Sequence, residues 1–147
     1  MTTFRRLDPE TAREISSRAA AYLASQPEVR AVFLFGSAVS AEAEPRDVDL
    51  AIQTCGSIEP ERLEQMRSET AKVAGGPIDL VFLNEAPVVL AHEVAETGRC
   101  LFARDPDAEV EFVTRARARY WDFKPFLEEQ WRASGERLEE RRRGPQT

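Results

Sequence analysis

The chain has 147 residues, of which 42% are hydrophobic and 31% are charged, a balance typical of an ordinary globular domain with its own core. Its net charge of −6 has the wrong sign for a general nucleic-acid binder, so no direct nucleic-acid binding is expected. No apolar run is long enough to span a membrane. The N-terminal stretch MTTFRRLDPE lacks the apolar segment of a signal peptide, so we expect a cytoplasmic protein without a membrane partner.

Helical and strand patterns alternate along the chain. A first helix is predicted to begin at Asp8-Pro9, an N-cap followed by proline, and to end at Pro27. Short apolar runs predict strands at 31–35, 48–52, 78–83 and 100–102, and periodicity predicts helices at 38–43, 60–73, 87–97 and from about 107. Pro125 is expected to kink or break the last helix. This alternation predicts an α/β or α+β domain rather than an all-α bundle.

Three aspartates interrupt strands that are otherwise apolar. Asp47 and Asp49 stand at alternate positions, so their side chains share one face while Val48 and Leu50 face the other way. Two carboxylates side by side repel each other, and a bound cation relieves that repulsion. Mg²⁺ suits such a site because it takes one or two carboxylates together with substrate phosphates. Asp79, inside the strand IDLVFL, is the third candidate.

A Gly36-Ser37 turn precedes the two alternate acids. Glycine allows close backbone approach to phosphate, the following amides can point at phosphate oxygens, and the Ser37 hydroxyl adds a donor. Strand, turn and alternate acids together predict a metal–nucleotide site. The alternative is structural: Asp47 caps a turn and Asp49 pairs with an arginine such as Arg46. That alternative leaves the acid of the third strand unexplained.

The stretch GSAVSAEAEPRDVDLAI resembles the signature of the DNA polymerase β-type nucleotidyltransferases. Within that superfamily the chain, including its Tyr120-x-Asp122 segment, is most similar to the minimal nucleotidyltransferases (MNT), the antitoxins encoded beside HEPN toxins. The resemblance implies a polymerase β-like fold, a small mixed sheet of three or four strands flanked by helices, with a helical C-terminus. It implies one nucleotidyltransferase domain over residues 1–147, with a core at about 8–104 and a C-terminal helical segment at about 107–141.

The resemblance also implies the chemistry of the site. Asp47, Asp49 and Asp79 would be the catalytic, metal-binding acids, the first two holding two Mg²⁺ ions and the third helping to activate the acceptor hydroxyl. Gly36 and Ser37 would hold the triphosphate. The implied reaction transfers AMP from ATP to a tyrosine of a partner HEPN-type RNase toxin, which silences that toxin.

Two departures from the family pattern bear on activity. Nine residues separate the Gly-Ser turn from Asp47, where the family usually has ten, and Ala38-Val39 stand where members commonly carry an arginine. Arg46, beside the first acid, could partly substitute as a phosphate-binding residue. Two alternatives stay open: the same chemistry on a small molecule, as in antibiotic-modifying nucleotidyltransferases, or a catalytically idle antitoxin that neutralises its toxin by binding only.

Aromatic residues are dense in the C-terminal segment, namely Trp121, Phe123, Phe126 and Trp131. This density suits a docking surface for a partner and equally suits packing against the domain's own sheet, so both interpretations are kept. His92, in the helix at 87–97, is interpreted as a surface residue rather than a general base.

Overall fold

The computed structural model describes residues 6–40 and 44–143. In these residues the chain forms four strands and four α-helices, in the order α1 Pro9–Ala24, β1 Val29–Phe35, β2 Val48–Thr54, α2 Pro60–Ala74, β3 Ile78–Phe82, α3 Val88–Thr97, β4 Arg99–Ala103 and α4 Ala108–Arg143. Short 3-10 helices occupy Gly36–Val39 and Leu83–Glu85. Within the same ranges, no helix combines the length and apolar composition that crossing a membrane requires.

The four strands form one mixed sheet in the order β3-β2-β1-β4. Strand β1 is antiparallel to both β2 and β4, whereas β2 and β3 are parallel. A parallel pair needs a crossover connection, and α2 provides it. The predicted small mixed sheet of three or four strands, flanked by helices and followed by a helical C-terminus, is confirmed.

Both faces of the sheet are covered by helices. On one face Leu50 packs beneath α1 and α2, whose buried residues include Ile15 and Met66. On the other face Phe33 packs beneath α3 and α4, and its ring centroid lies 4.9 Å from that of Phe112. Strand β2 therefore lies between two apolar layers, which fixes the direction of every side chain along it.

The ends of the elements follow local signals in the sequence. The Asp8 carboxylate caps α1 by accepting a hydrogen bond of 2.7 Å from the Thr11 N–H. Gly75 ends α2 in the left-handed conformation, with φ of 69°. The predicted strands and long helices begin and end within two residues of the observed ones, except that α1 ends at Ala24, three residues before Pro27. The predicted helix at 38–43 is instead a 3-10 helix at Gly36–Val39, and residues 41–43 lie outside the described residues.

Of the two outcomes expected at Pro125, a break in the last helix is wrong. Helix α4 runs through this proline from Ala108 to Arg143. Proline removes the N–H that would bond the carbonyl four residues earlier, at a cost of about 3 kcal/mol or more in a helix interior. Here Pro125 is exposed, so water can bond the freed carbonyl, and Leu127 just beyond it is still buried.

Replacing Pro125 by alanine restores the missing donor and is expected to slow amide hydrogen exchange in the surrounding turns by about tenfold or more. Exchange measured by mass spectrometry on peptides covering residues 118–132 checks this. Pro106→Ala, outside the helix, is the control and should leave those peptides unchanged. Unchanged exchange in Pro125→Ala would mean that this stretch is not one continuous helix.

Candidate active site

The turn after β1 is shaped by an acid on the neighbouring strand. Gly36 has φ of +73°, a conformation that residues with a Cβ rarely adopt. A Cβ built on Gly36 would lie 2.4 Å from Oδ2 of Asp49, far inside van der Waals contact. Any other residue here would therefore be strained, and the Asp49 carboxylate would have to rotate away to make room for its Cβ.

Strand register brings two of the predicted acids together. Asp49 is the register partner of Phe35 on β1 and of Asp79 on β3. Register partners on adjacent parallel strands point to the same face and lie about 4.8 Å apart. Asp47 precedes the first residue of β2 and is exposed. The three predicted acids therefore lie at one end of the sheet, beside the turn that Gly36 opens.

The electrostatics of this end centre on Asp49. The pKa of Asp49 is raised to about 6, first by burial and then by the neighbouring carboxylates of Asp47, Asp79 and Glu93, in that order of effect. Within the described residues, no hydrogen bond or ion pair engages the side chains of the three predicted acids. The structural alternative, in which an arginine pairs with Asp49, is therefore not found in this part of the chain.

Glu93 is a member of the acidic cluster that sequence reasoning missed. It lies 44 residues beyond Asp49, on α3, in a segment with no strand pattern and no motif of its own. Only the packing of α3 over the sheet brings its charge near Asp49. A signal for it could have come only from knowing which face of α3 is covered.

His92, next to Glu93, is tied to α4 rather than to the acids. Its ring stacks on that of Tyr120, with centroids 3.6 Å apart and an angle of 5° between the planes. Its Nε2 lies 3.6 Å from a carboxylate oxygen of Glu96, which is also bonded by Arg117 at 2.7 Å. The structure thus gives His92 a packing role between two helices.

The acids fit a metal that brings part of its own ligand shell. In the ranges that the structure describes, no three His, Cys, Asp or Glu side chains are grouped so as to hold an ion by themselves. Mg²⁺ commonly takes one or two carboxylates and completes its shell with water and substrate phosphates. After burial, the carboxylates of Asp47, Asp79 and Glu93 contribute to the raised pKa of Asp49, and a divalent cation would offset that repulsion.

The other two predicted site residues are exposed at the same end. Ser37 lies in the 3-10 helix that follows the glycine turn, and Arg46 lies directly before Asp47. Among the described residues, neither side chain makes a hydrogen bond or ion pair. Both are therefore accessible to a ligand, and nothing in the fold itself requires them.

A family model for the polymerase beta nucleotidyltransferases matches residues 18–107, more than half of the chain. The chain belongs to the polymerase beta nucleotidyltransferase family. Its membership agrees with the resemblance of the Gly-Ser turn and the alternate acids, all of which lie inside the matched range. Among proteins of curated function, none matches this nucleotidyltransferase chain at a significant level.

Several solved structures share its fold. One is the toxin–antitoxin MntA–HepT, with 17% identity, a TM-score of 0.59 and coverage of 83% of this chain and 97% of that chain. A second is a toxin–antitoxin with AMP-PNP, with 18% identity, a TM-score of 0.58 and coverage of 82% and 98%. A third is the tri-AMPylated Shewanella oneidensis HEPN toxin in complex with MNT antitoxin, with 18% identity, a TM-score of 0.56 and coverage of 83% and 97%. At these identities the likeness shows the fold, and it confirms the predicted polymerase β-like fold.

Gly36→Ala tests the contact between the turn and Asp49. We expect a loss of about 1–3 kcal/mol in the free energy of unfolding, larger than in the control below, because a strained φ is combined with displacement of the Asp49 carboxylate. Gly75→Ala is the matched control: its φ is +69°, but the nearest atom to its Cβ would be 3.7 Å away, so only the strain remains. Urea unfolding of both variants checks this. Equal losses in the two variants would show that Asp49 does not crowd the turn.

Asp49→Asn tests the acidic cluster through pH. Between about pH 4 and 6 native Asp49 keeps a proton that the unfolded chain has released, so its contribution to stability falls as pH rises. We expect Asp49→Asn to raise the free energy of unfolding by about 1–2 kcal/mol at pH 7.5, after allowance for solvent screening, and to bring no gain at pH 3.5.

The control for that pH profile is Asp8→Ala. Bonds from Thr11 lower the pKa of Asp8, so its stabilisation is present above its ordinary pKa and is lost on acidification. The two variants should therefore diverge from the wild type in opposite directions as pH rises. A pH-independent effect of Asp49→Asn would contradict the charge argument.

Proposed function

We propose that this chain is a Mg²⁺-dependent protein adenylyltransferase that transfers AMP from ATP to a hydroxyl, expected to be a tyrosine, of a partner HEPN-type RNase toxin, and so acts as its antitoxin. The observation that carries the proposal is the unpaired Asp49 carboxylate, held between Gly36 and Asp79 with a raised pKa. Two neighbours of the same fold support it, one described with AMP-PNP and one as a tri-AMPylated HEPN toxin with its MNT antitoxin.

Under this proposal residues 1–147 act as one nucleotidyltransferase domain. The catalytic core is about 8–104, and the helical segment at about 107–141 lies outside it. The family match over residues 18–107 supports this division. All residues proposed for the chemistry lie inside the core.

Asp47, Asp49 and Asp79 would hold Mg²⁺ together with the phosphates of ATP. When bound, the metal would lower the pKa of the acceptor hydroxyl and offset the charge that develops on the leaving pyrophosphate. The aspartates have no competing partners among the described residues, so no ion pair needs to break before they bind it.

The chain's own residues would position the reactants. The backbone at Gly36 and the Ser37 hydroxyl would hold the triphosphate, and Arg46 would add positive charge beside it. The acceptor oxygen then forms a bond to the α-phosphorus while the bond to the β-phosphate oxygen breaks, releasing pyrophosphate. Asp79, exposed on β3, would take the hydroxyl proton.

One cavity bears on the alternative in which the acceptor is a small molecule. A cavity of about 390 Å³, within the range of small-molecule sites, lies between α1 and β4 beside Ala38 and Ser40 of the turn. It opens on the sheet face that carries Leu34, whereas Asp49 lies on the face that carries Ala51. An acceptor in this cavity would be separated from the acids by the sheet, so the cavity does not favour a small-molecule acceptor.

The experiment incubates the purified chain with Mg²⁺, ATP and the product of the adjacent gene, and weighs every chain by intact mass spectrometry. AMP-sized additions should appear on the partner. Asp47→Asn, Asp49→Asn and Asp79→Asn should each reduce these additions by about a hundredfold or more, because each removes a negative charge that would bind Mg²⁺. Asp122→Asn, an exposed acid on α4, is the matched control and should retain activity.

Two results would contradict the proposal. A stable complex without any mass addition would make this an antitoxin that acts by occlusion, as the altered turn at Ala38-Val39 allows. Additions on aminoglycoside-like hydroxyl compounds, with none on the protein partner, would favour the small-molecule alternative.

A further inference from the structure

Helix α4 extends well beyond the last of its residues that is buried. In its first half Phe112 and Ala116 are buried beneath the sheet, Tyr120 stacks on His92, and Leu127 is 8% exposed. Beyond Leu127 none of the described side chains of the helix is buried. The second half of α4 is therefore a long helix that the described chain leaves uncovered.

The spacing of the packed half continues into this uncovered half. Packed positions recur at intervals of three and four residues, at 112, 116, 120, 123 and 127, and the same intervals lead to 131, 134, 138 and 141. Trp131 is 59% exposed and Leu138 is 61% exposed. We call the residues Trp131, Ser134, Leu138 and Arg141 the exposed stripe. Large apolar side chains that extend a packed stripe, with nothing over them, are typical of a helix that pairs with another chain.

The exposed stripe is complementary to itself when a second copy is turned end for end. If two helices cross between Ser134 and Gly135, Trp131 of one copy lies opposite Leu138 of the other. Glu128 then lies at the level of Arg141 and Arg142 of the second copy, so opposite charges meet at both ends of the contact. Each contact occurs twice, as a two-fold interface requires.

Gly135 fits the crossing point of such a pair. Glycine in a helix interior costs about 1 kcal/mol relative to alanine. The fold of the single chain does not require glycine at this position, because a Cβ built on Gly135 would meet no atom within 4 Å. Absence of a Cβ permits another backbone to approach closely at this point.

The antiparallel direction also keeps the two domains apart. Leu127 is the last buried residue of α4, and the two copies of it would be separated by about 22 Å along the helix axis, at 1.5 Å per residue. A parallel pair would instead bring the two domains side by side and place Glu128 against its own copy. We propose that the chain forms a homodimer through antiparallel pairing of the exposed stripes.

The first test measures the mass of the full chain in solution, by sedimentation between 1 and 100 μM. The wild type should be a dimer, and Trp131→Ala/Leu138→Ala should raise the dimer Kd by at least about a hundredfold, since two apolar contacts are lost twice. Trp121→Ala is the matched control: Trp121 is 66% exposed but lies outside the stripe, so the dimer should persist.

Charge exchange tests the direction of pairing. Glu128→Arg should weaken the dimer, and adding Arg142→Glu should restore it, because the pair is only inverted. In a Cys55→Ser background, Ser134→Cys should form a disulfide across the two-fold axis on mild oxidation. Glu129→Cys, which points away from the stripe, is the control and should not.

A wild type that is monomeric at 100 μM would overturn the proposal. If the wild type is a monomer and Trp131→Ala/Leu138→Ala no longer binds the product of the adjacent gene, the exposed stripe is the binding surface for that partner instead, and the proposal is overturned. The inference does not rest on the proposed reaction: Asp49→Asn should dimerise like the wild type, and failure of AMP transfer would leave this result unaffected.

Discussion

The site depends on one partly buried carboxylate that the described chain does not neutralise. Asp49 lies near the start of β2, one of the two inner strands, with Asp79 in register beside it and Gly36 close to its oxygen. Its pKa of about 6 means that ionisation at neutral pH opposes folding. The domain tolerates this because β2 lies between two apolar layers, which hold its side chains in one direction whatever the charge at its end.

Topology explains why turn and acids meet at one end of the sheet. Strand β1 is antiparallel to β2, so the C-terminal end of β1, where Gly36 follows, lies beside the N-terminal end of β2. Strand β3 is parallel to β2, so its N-terminal end, with Asp79, lies there too. A mixed sheet in this order therefore brings the glycine turn and two acidic strand ends together, which neither an all-parallel nor an all-antiparallel order would do for these elements.

Much of this arrangement could be predicted from the sequence, because the signals are local. Asp8-Pro9 begins a helix, Gly75 ends one, and Asp49 interrupts an apolar strand, although Asp47 lies just before that strand rather than in it. The collision of a Cβ at position 36 with Asp49 could not be predicted, because it depends on register between two strands. The continuation of α4 through Pro125 could not be predicted either, since a proline inside a helical pattern indicates an end or a kink when only the local sequence is known.

Packing between α3 and α4 connects the acidic end of the sheet with the C-terminal helix, two regions that are far apart in the sequence. Glu93 raises the pKa of Asp49, and its neighbour His92 stacks on Tyr120 of α4. Arg117, one turn before Tyr120 on α4, forms an ion pair with Glu96 of α3. These contacts of His92 and Glu96 with α4 hold α3 in place, and with it the charge of Glu93 near the acids. The charge around Asp49 is consequently a property of how α3 lies between the sheet and α4, and no single stretch of the sequence contains that information.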